Sequence, residues 1–215
     1  GAFCNYLLKN TDYDIIGLDH TWNNNGDTDD RRFRRLHCDL RYNHGLEQIF
    51  RATRPDTCYH FAAYASEGRS NHIRKFIIEN NTLTTAHVIN ACVNYDCKLV
   101  FASSVAVYSG AAPFTESTEP LPIDEYGLSK YMSERSIQIA GRVHGLKWTI
   151  VRPRNVYGPG QNIYDPSRNL FGIFCYKALN KQPLTLFGDG SHTRQFTYID
   201  DILEPLFRSA RLEND

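Results

Sequence analysis

The sequence predicts an α/β protein with a Rossmann-like, doubly wound parallel sheet that has helices on both faces. Apolar segments of strand length alternate along the chain with segments whose apolar residues recur at helical spacing. The strand segments are almost continuously apolar, which is typical of parallel strands buried on both faces. A chain of 215 residues is long enough to bury one large core.

The predicted elements follow one another in this alternating order. The predicted strands cover residues 13–19, 33–40, 57–61, 98–102, 148–151 and 184–187. The predicted helices cover residues 1–9, a segment around 46–50, 73–95, 126–143, 170–179 and a last helix that begins within 198–201. The second helix ends before Pro55, because the residue before a proline disfavours helical geometry. Asp200 and Asp201 suit the first turn of the last helix, where the helix dipole favours acidic groups.

Composition excludes several classes of partner. Lysine and arginine together number 24, as do aspartate and glutamate, so no net charge indicates nucleic acid or an anionic membrane. No apolar run of membrane-spanning length and no signal peptide is visible, and we expect a soluble, cytoplasmic protein. The six cysteines are scattered without a C-x-x-C pair, which indicates buried thiols in a reducing compartment and neither a metal site nor a disulfide framework.

The best candidate for catalysis is the pair Tyr126 and Lys130. Residues four apart lie on one face of a helix, so the Lys130 ammonium can lower the pKa of the Tyr126 phenol and make it a base near neutral pH. Residues 100–104 read as a buried strand that runs into a loop with hydroxyl groups, where Ser104 could share a substrate hydroxyl with Tyr126. Alone, a Tyr-x-x-x-Lys spacing is weak, because both residues are common.

Strand ends carry the other candidates, since ligands of parallel sheets bind beyond the carboxyl ends of the strands. Asp19 ends a strand and could accept hydrogen bonds from the ribose hydroxyls of NAD, or it could only cap a turn. Asp39 and Leu40 follow the next strand, at the place expected for the adenine ring. The segment Phe61-Ala62-Ala63-Tyr64 ends another strand, and its small residues would let a flat cofactor approach the backbone.

Eight motifs in one order resemble those of a known family. They are Asp19, Asp39-Leu40, His60-Phe61-Ala62-Ala63, Asn80-Asn81, Ser103-Ser104 with Val107-Tyr108, Tyr126-x-x-x-Lys130, the segment 152–159 (RPRNVYGP) and the segment 188–201 (GDGSHTRQFTYIDD). Together they resemble the extended short-chain dehydrogenase/reductases, and more narrowly the nucleotide-sugar epimerases and dehydratases. The resemblance covers essentially the whole chain. It implies an NAD-binding domain over residues 1–153 and part of a substrate-binding region over 154–215, with segments that return to the sheet.

The resemblance also implies site residues and partners. It assigns Ser104, Tyr126 and Lys130 to catalysis, with Tyr126 and Lys130 also at the cofactor. It adds Gly1, Asn80 or its neighbour Asn81, Ser103 and Pro153 to the candidate cofactor contacts. It places Asn155 and Arg194 at the diphosphate of a nucleotide sugar, where a guanidinium suits a bidentate grip. A homodimer through the helices within 73–95 and 126–143 is implied by the resemblance alone.

One departure concerns the start of the chain. The family begins with a strand and a Gly-x-x-Gly-x-x-Gly turn that holds the NAD pyrophosphate at a helix N-terminus. Gly1 stands at the spacing of the third glycine before Asp19, and the family's chain also continues beyond the equivalent of Asp201. The sequence therefore looks truncated at both ends, and we expect residues 1–215 alone to bind NAD poorly or to fold poorly.

A second departure narrows the reaction. Related dehydratases and decarboxylases carry acidic residues just before the Val-Tyr pair, and this chain has Val105 and Ala106 there, which cannot donate a proton. The pattern therefore favours a UDP-glucose 4-epimerase type of reaction with transient hydride transfer to NAD at sugar C4. A UDP-glucuronate 4-epimerase, a dehydratase relative with its acid elsewhere, and a degenerate nucleotide-binding fragment remain as alternatives.

Overall fold

The computed structural model describes residues 1–21, 28–110, 113–165, 170–186, 188–191 and 193–212. Its strands pair in parallel and alternate with helices, which confirms the predicted Rossmann-like class. Five strands match the five predicted up to residue 151. They are β1 (Ile15–Asp19), β2 (Phe33–His37), β3 (Thr57–His60), β4 (Lys98–Ala102) and β5 (Trp148–Val151).

These strands form two separate hydrogen-bonded groups. In the first, β1 pairs with β2, and Asp19 lies opposite His37 at the carboxyl end. In the second, β4 lies between β3 and β5, and His60 lies opposite Phe101. Because all pairs are parallel, the carboxyl ends within each group lie at one edge.

The core is centred on β4. Leu99, Val100 and Phe101 are fully buried there, since they lie in the central strand with helices packed on the sheet. Helices α2 (Asn43–Thr53) and α5 (Thr84–Asn94) add Leu46 and Cys92 to this core. Cys38 and Cys97 are buried as well, as predicted for the thiols, whereas Cys4, Cys58 and Cys175 are only partly buried.

The predicted helix over 73–95 is divided in the structure. A short helix α3 (Glu67–Ser70) precedes it, followed by α4 (Arg74–Ile77), a π-helical turn at Ile78–Leu83 and then α5. A π-turn holds one extra residue, so it rotates the side chains after it, and such turns are frequent at functional sites. The helical prediction is confirmed, but periodicity did not indicate the π-turn.

Helix α6 (Glu125–His144) is the longest in the described part of the chain and carries the candidate catalytic pair. Asp124 caps its N-terminus by accepting a hydrogen bond from the Gly127 backbone N–H at 2.7 Å. Gly145 ends it in the left-handed region, with φ of +71°. At Gly127 a Cβ would collide with the Ala106 carbonyl oxygen. Glycine thus lets the first turn of α6 lie directly against the chain that follows β4.

The last part of the chain contains short strands and two helices. Strands β6 (Val156–Tyr157) and β7 (Thr197–Tyr198) pair in parallel, which the sequence did not predict. Helix α7 (Leu170–Leu179) and helix α8 (Ile199–Ser209) confirm two predictions, and α8 packs against β5 and against α1 (Ala2–Asn10). Among the helices of the described ranges, none is long and apolar enough to cross a membrane.

The strand predicted over 184–187 is wrong for its described residues. Residues 184–186 form no strand, and Phe187 lies outside the described residues. Leu184 and Leu186 are 49% and 66% exposed, so no neighbouring strand or helix covers them. Alternating apolar residues indicate a strand only where a sheet edge is available to pair with them.

Candidate active site

Tyr126 and Lys130 lie together on the buried face of α6, against the carboxyl end of β4. Tyr126 is 7% exposed and Lys130 is 3% exposed. The Lys130 Nζ donates a hydrogen bond to the Ala102 carbonyl oxygen at 2.7 Å, and Ala102 is the last residue of β4. The same Nζ lies 5.9 Å from the centre of the Tyr126 ring. The predicted shared face is therefore present, and it points at the strand end where ligands of such sheets bind.

Burial lowers the pKa of Lys130, although two neighbouring groups favour its charged form. Burial lowers the pKa of Lys130 to about 8, and the charge of Glu134 opposes this effect. The Nζ also lies 4.8 Å from the centre of the Phe101 ring, whose face attracts a cation. His60 adds no competing charge at neutral pH, because burial lowers its pKa to about 3, with a further contribution from Lys130.

Ser103 and Ser104 follow β4 directly and are both buried. Ser104 caps a 3₁₀ turn at Val105–Val107, and its Oγ accepts a hydrogen bond from the Ala106 backbone N–H at 3.1 Å. The Ser103 Oγ is buried without a hydrogen-bond partner among the described residues. Buried polar atoms are nearly always paired, so this hydroxyl indicates a place where a bound molecule could supply the partner.

The end of β3 is fastened to α6 by one amide side chain. Asn81 is 2% exposed; its Oδ1 accepts from the Tyr64 backbone N–H at 2.7 Å, and its Nδ2 donates to the Tyr64 carbonyl at 3.2 Å. The same Nδ2 donates to the Ser129 Oγ at 3.1 Å, and Ser129 donates to the Tyr126 carbonyl at 2.7 Å. The loop that was predicted to face the cofactor is thus tied to the turn of α6 that carries Tyr126.

Two neighbouring asparagines were predicted near the cofactor, and they lie differently. Asn81 belongs to the π-turn and makes the contacts described above. Asn80, the preferred candidate, donates from Nδ2 to the Phe76 carbonyl at 2.8 Å on a more exposed side. Its cofactor contact remains a prediction. The loop residues themselves are accessible, with Phe61 44% exposed, as a platform for a flat ligand requires.

The candidate adenosine contacts lie at the end of the other strand group. Asp19 accepts from the Thr21 backbone and hydroxyl at 2.8 Å each. Burial acts to raise its pKa, but the Thr21 hydrogen bonds and the charges of His20 and Arg35 outweigh it, so the pKa of Asp19 is lowered. Its carboxylate therefore stays charged, as both ribose binding and turn capping require.

Asp39 and Leu40 lie near this end with other partners. The Asp39 carboxylate receives two hydrogen bonds from the Arg41 fork, Nε to Oδ1 at 2.9 Å and Nη2 to Oδ2 at 2.6 Å. These bonds lower the pKa of Asp39. Leu40 packs on the core, and its carbonyl oxygen lies 2.8 Å from His87 Nδ1. Gly1 is exposed and precedes α1. Their cofactor contacts remain predictions.

The predicted substrate residues lie in the segment around β6 and β7. The Asn155 Nδ2 donates to the Gln195 carbonyl at 2.8 Å. This contact places Asn155 beside the residue that follows Arg194. Burial and the charge of Asp124 raise the pKa of Glu67, which belongs to α3. The positive charge of Arg194 opposes this rise. Pro153 accepts from the Val105 backbone N–H at 3.3 Å, so β5 and the turn after β4 are joined beside Ser104.

One buried ion pair was missed by the sequence analysis. Glu134 is 1% exposed, and its two oxygens accept from Arg152, Nε to Oε1 at 2.9 Å and Nη2 to Oε2 at 2.7 Å. Arg152 Nη1 also donates to the Tyr108 hydroxyl. The only sequence signal was position, because Glu134 comes four residues after Lys130 and eight after Tyr126 on one helix face.

The parallel sheet and the buried Tyr-Lys pair at its carboxyl end define a Rossmann-like protein of the extended short-chain dehydrogenase/reductase type. The NAD dependent epimerase/dehydratase family model matches residues 1–213, and the chain belongs to this family. Among the described residues, no group of three or more His, Cys, Asp or Glu side chains could hold a metal ion.

Known proteins of this family resemble the chain in sequence and structure. It is 30% identical to a putative UDP-glucose 4-epimerase of Methanocaldococcus jannaschii over 215 residues, which cover 97% of this chain and 69% of that protein. The structure of Thermus thermophilus UDP-glucose 4-epimerase complexed with NAD matches with a TM-score of 0.86 at 30% identity, over 98% of this chain and 71% of that one. Bacillus cereus UDP-glucuronic acid 4-epimerase, solved with UDP-glucuronic acid and NAD, matches with a TM-score of 0.85 at 27% identity, over 99% and 70%.

The coverage of these relatives limits what family membership says. The chain spans about half the length of further curated relatives that it matches. Relatives at similar identity include a dehydratase as well as 4-epimerases. Membership therefore establishes the class of chemistry and leaves the sugar open.

Proposed function

We propose that this chain carries the catalytic site of an NAD-dependent nucleotide-sugar 4-epimerase of the UDP-glucose/UDP-galactose type. The observation that carries the proposal is the composition of the strand end beside Tyr126. Buried hydroxyls of Ser103 and Ser104 lie there with the Lys130 ammonium, and the next two residues are Val105 and Ala106. Such a set can move a proton on a sugar hydroxyl, and it offers no carboxylic acid next to Ser104 to expel one.

The chain's own residues fit a dinucleotide cofactor. The accessible loop at Phe61–Tyr64, the unpaired Ser103 hydroxyl and the charged Asp19 together offer a flat platform, a hydrogen-bonding group and a ribose acceptor. We assign Asp19 to the adenosine ribose and Lys130 to the nicotinamide ribose. A bound NAD would supply a reversible hydride acceptor for sugar C4.

Side chains of the protein transfer the proton and position the sugar. Tyr126 accepts the proton of the sugar 4-hydroxyl, and Ser104 hydrogen-bonds the same oxygen. The nearby Lys130 ammonium stabilises the charged phenolate. Arg194 and Asn155 hold the diphosphate of the nucleotide, where the guanidinium supplies paired hydrogen bonds. With its diphosphate held, the 4-keto sugar can turn over and present its other face.

A homodimer is part of the proposal. Four apolar side chains of α6 recur at helical spacing on its outer surface and are exposed: Leu128, Met132, Ile139 and Val143, at 40%, 47%, 49% and 67%. An exposed apolar stripe on a long helix suits burial against a second copy. Sedimentation equilibrium of the protein would test this, and a monomer at micromolar concentration would contradict it.

The test of the function is Tyr126→Phe in the protein that carries this chain. Removing the phenol oxygen removes the base, and we expect epimerisation of UDP-glucose to fall by about a thousandfold or more. Tyr131→Phe makes the same change one residue beyond Lys130 and should leave turnover near the wild-type value. Retained turnover in Tyr126→Phe would refute the assignment.

Product analysis separates this proposal from a second candidate, a sugar dehydratase. Glu67 favours that candidate, because burial and Asp124 raise the pKa of its carboxyl, and a raised carboxyl pKa is typical of a general acid. NMR spectra of products from UDP-glucose, UDP-glucuronate and dTDP-glucose would distinguish a 4-epimer from a 4-keto-6-deoxy sugar. A dehydrated product that disappears in Glu67→Gln would replace the epimerase proposal.

A further inference from the structure

A line of three charged or ionisable side chains runs down the buried face of α6. Tyr126, Lys130 and Glu134 are separated by four residues each, so they lie one above another over two turns. All three are at most 7% exposed. Tyr126 and Lys130 belong to the proposed reaction. Glu134 lies one helical turn farther along α6, where burying a carboxylate costs free energy unless a partner compensates for it.

Glu134 has a partner that holds it in one place. The bidentate fork of Arg152 occupies both of its oxygens, and this geometry fixes the direction of both groups. Arg152 comes directly after β5 and also donates to the Tyr108 hydroxyl, which in turn donates to the Thr115 carbonyl at 3.0 Å. The Glu134 carboxylate is thus anchored to β5 and to the loop after the 3₁₀ turn, one helical turn from Lys130.

Lys130 needs a negative neighbour more than an exposed lysine does. Its Nζ is surrounded by the Phe101 and Tyr126 rings, the Ala102 carbonyl and the neutral His60 imidazole. Among the described groups around it, Glu134 is the one whose charge favours the ammonium, while burial disfavours it. Without this charge the lysine would more often be a neutral amine, which cannot stabilise a phenolate.

We propose that Glu134 is a positioning residue for the reaction: its carboxylate, held in place by Arg152, keeps the Lys130 side chain charged beside Tyr126. The proposal rests on the proposed function for its catalytic meaning, but the charge of Lys130 is measurable without substrate. The competing explanation is that the Glu134–Arg152 pair only joins α6 to β5.

The direct test is the NMR titration of Lys130 in protein labelled with [6-¹³C]lysine, without NAD or sugar. Lys130→Arg assigns the signal by its loss. In Glu134→Gln, which keeps the shape and removes the charge, we expect the midpoint of Lys130 to fall by about one pH unit. Glu134→Asp keeps the charge but withdraws it by one methylene, so we expect its midpoint to lie slightly below that of the wild type. An unchanged midpoint in Glu134→Gln would overturn the proposal.

Lys75 and Glu79 supply a matched control. They have the same lysine-to-glutamate spacing, and their charged atoms lie 3.7 Å apart, but the side chains are 89% and 42% exposed. Because solvent screens that pair, Glu79→Gln should leave the Lys130 midpoint nearly unchanged. If Glu134→Gln does not fold in a urea titration, Glu134→Asp carries the test. It withdraws the carboxylate by one methylene, so a small downward shift supports the proposal and no shift overturns it.

The pH profile of turnover gives a second readout. At low pH Tyr126 and Lys130 together carry two protons, and the reactive form has lost one of them, which leaves the phenolate beside the ammonium. Removing the Glu134 charge makes this first proton leave at lower pH, so the acidic limb of kcat moves down. It also shifts the remaining proton from the amine to the phenol, so the plateau falls by about tenfold, with KM little changed. If Glu134→Gln lowers the free energy of unfolding but leaves the acidic limb of the kcat profile unchanged, the Glu134–Arg152 pair only joins α6 to β5.

The two readouts distinguish failure of this inference from failure of the proposed function. If the protein does not epimerise any nucleotide sugar, the function fails, and the Lys130 midpoint still decides the role of Glu134. If it epimerises but the midpoint does not respond to Glu134→Gln, the function stands and this inference fails.

Discussion

The two strand groups differ in how deeply they are buried, and each supplies one end of the proposed cofactor site. In β4 the three central residues are fully buried. In β1 all five residues are only partly buried, and in β2 three residues are partly buried and two are exposed. The ammonium of Lys130 lies on the buried group, whereas the carboxylate of Asp19 lies on the open one.

This difference suits the two roles that we propose for these ends. The charge of a lysine can shift the pKa of a tyrosine strongly only where water is excluded, because solvent screens charges. Accepting hydrogen bonds from ribose hydroxyls requires only a charged, accessible carboxylate. We therefore expect substitutions at β3–β4–β5 to affect stability and proton transfer, and substitutions at β1–β2 to affect mainly cofactor choice.

The largest expected effect compares the same substitution in both groups. Leu99→Ala in β4 removes a fully buried side chain and should lower the free energy of unfolding by about 4 kcal/mol. Leu18→Ala in β1 removes a side chain that only borders the core and should cost about 2 kcal/mol or less. Urea denaturation of both variants measures this, and equal losses would show that the two groups are equally packed.

A smaller effect concerns His60, the last residue of β3. Its Nε2 lies 3.0 Å from the Thr85 hydroxyl. Its pKa is lowered from 6.5 to about 3 by burial, so between these values the unfolded chain binds a proton that the folded chain does not. The free energy of unfolding should therefore fall as pH drops below 6.5, reaching a loss of about 2 kcal/mol near pH 5.

His60→Gln tests this, because glutamine does not titrate. The unfolding free energy of His60→Gln should depend less on pH than that of the wild type between pH 6.5 and 3. If His60→Gln and wild type have the same slope, His60 is protonated in the folded state and the site around Lys130 is wetter than the structure indicates.

Those parts of the fold and site that depend on local spacing were predictable. Tyr126 and Lys130 are brought together by one helix, and β4 is recognisable as a continuous apolar run. The Glu134–Arg152 pair was not predictable, since it joins residues 18 positions apart through the packing of α6 on β5. The π-turn at Ile78–Leu83 was missed for a similar reason: it places Asn81 against Tyr64, a contact 17 positions away.

The false strand at 184–187 shows the converse error. The segment LTLF is mostly apolar and of strand length, but the described residues 184–186 remain exposed and unpaired to any strand. A strand requires a neighbour at the right distance, and periodicity carries no information about that neighbour. Predictions therefore succeeded within elements and failed where the outcome depended on which elements met.

The smallest expected effect lies at Asp19, on the open side. Its carboxylate is charged and bound to Thr21, and a 2′-phosphate placed against it would be repelled. In Asp19→Asn the repulsion and one charged acceptor are lost together. We expect NAD to bind about tenfold more weakly and NADP to bind no worse than before, with both dissociation constants measured by isothermal titration on the protein that carries this chain.

Asp14→Asn provides the control for Asp19→Asn, because Asp14 is exposed in the segment before β1 and should not contact the cofactor. Thermal unfolding of both variants should match the wild type, since neither side chain belongs to the core. If Asp19→Asn lowers stability and leaves the preference between NAD and NADP unchanged, Asp19 acts as a turn cap through Thr21. The open strand group would then contribute structure rather than cofactor recognition, and the division of labour between the two groups would not hold.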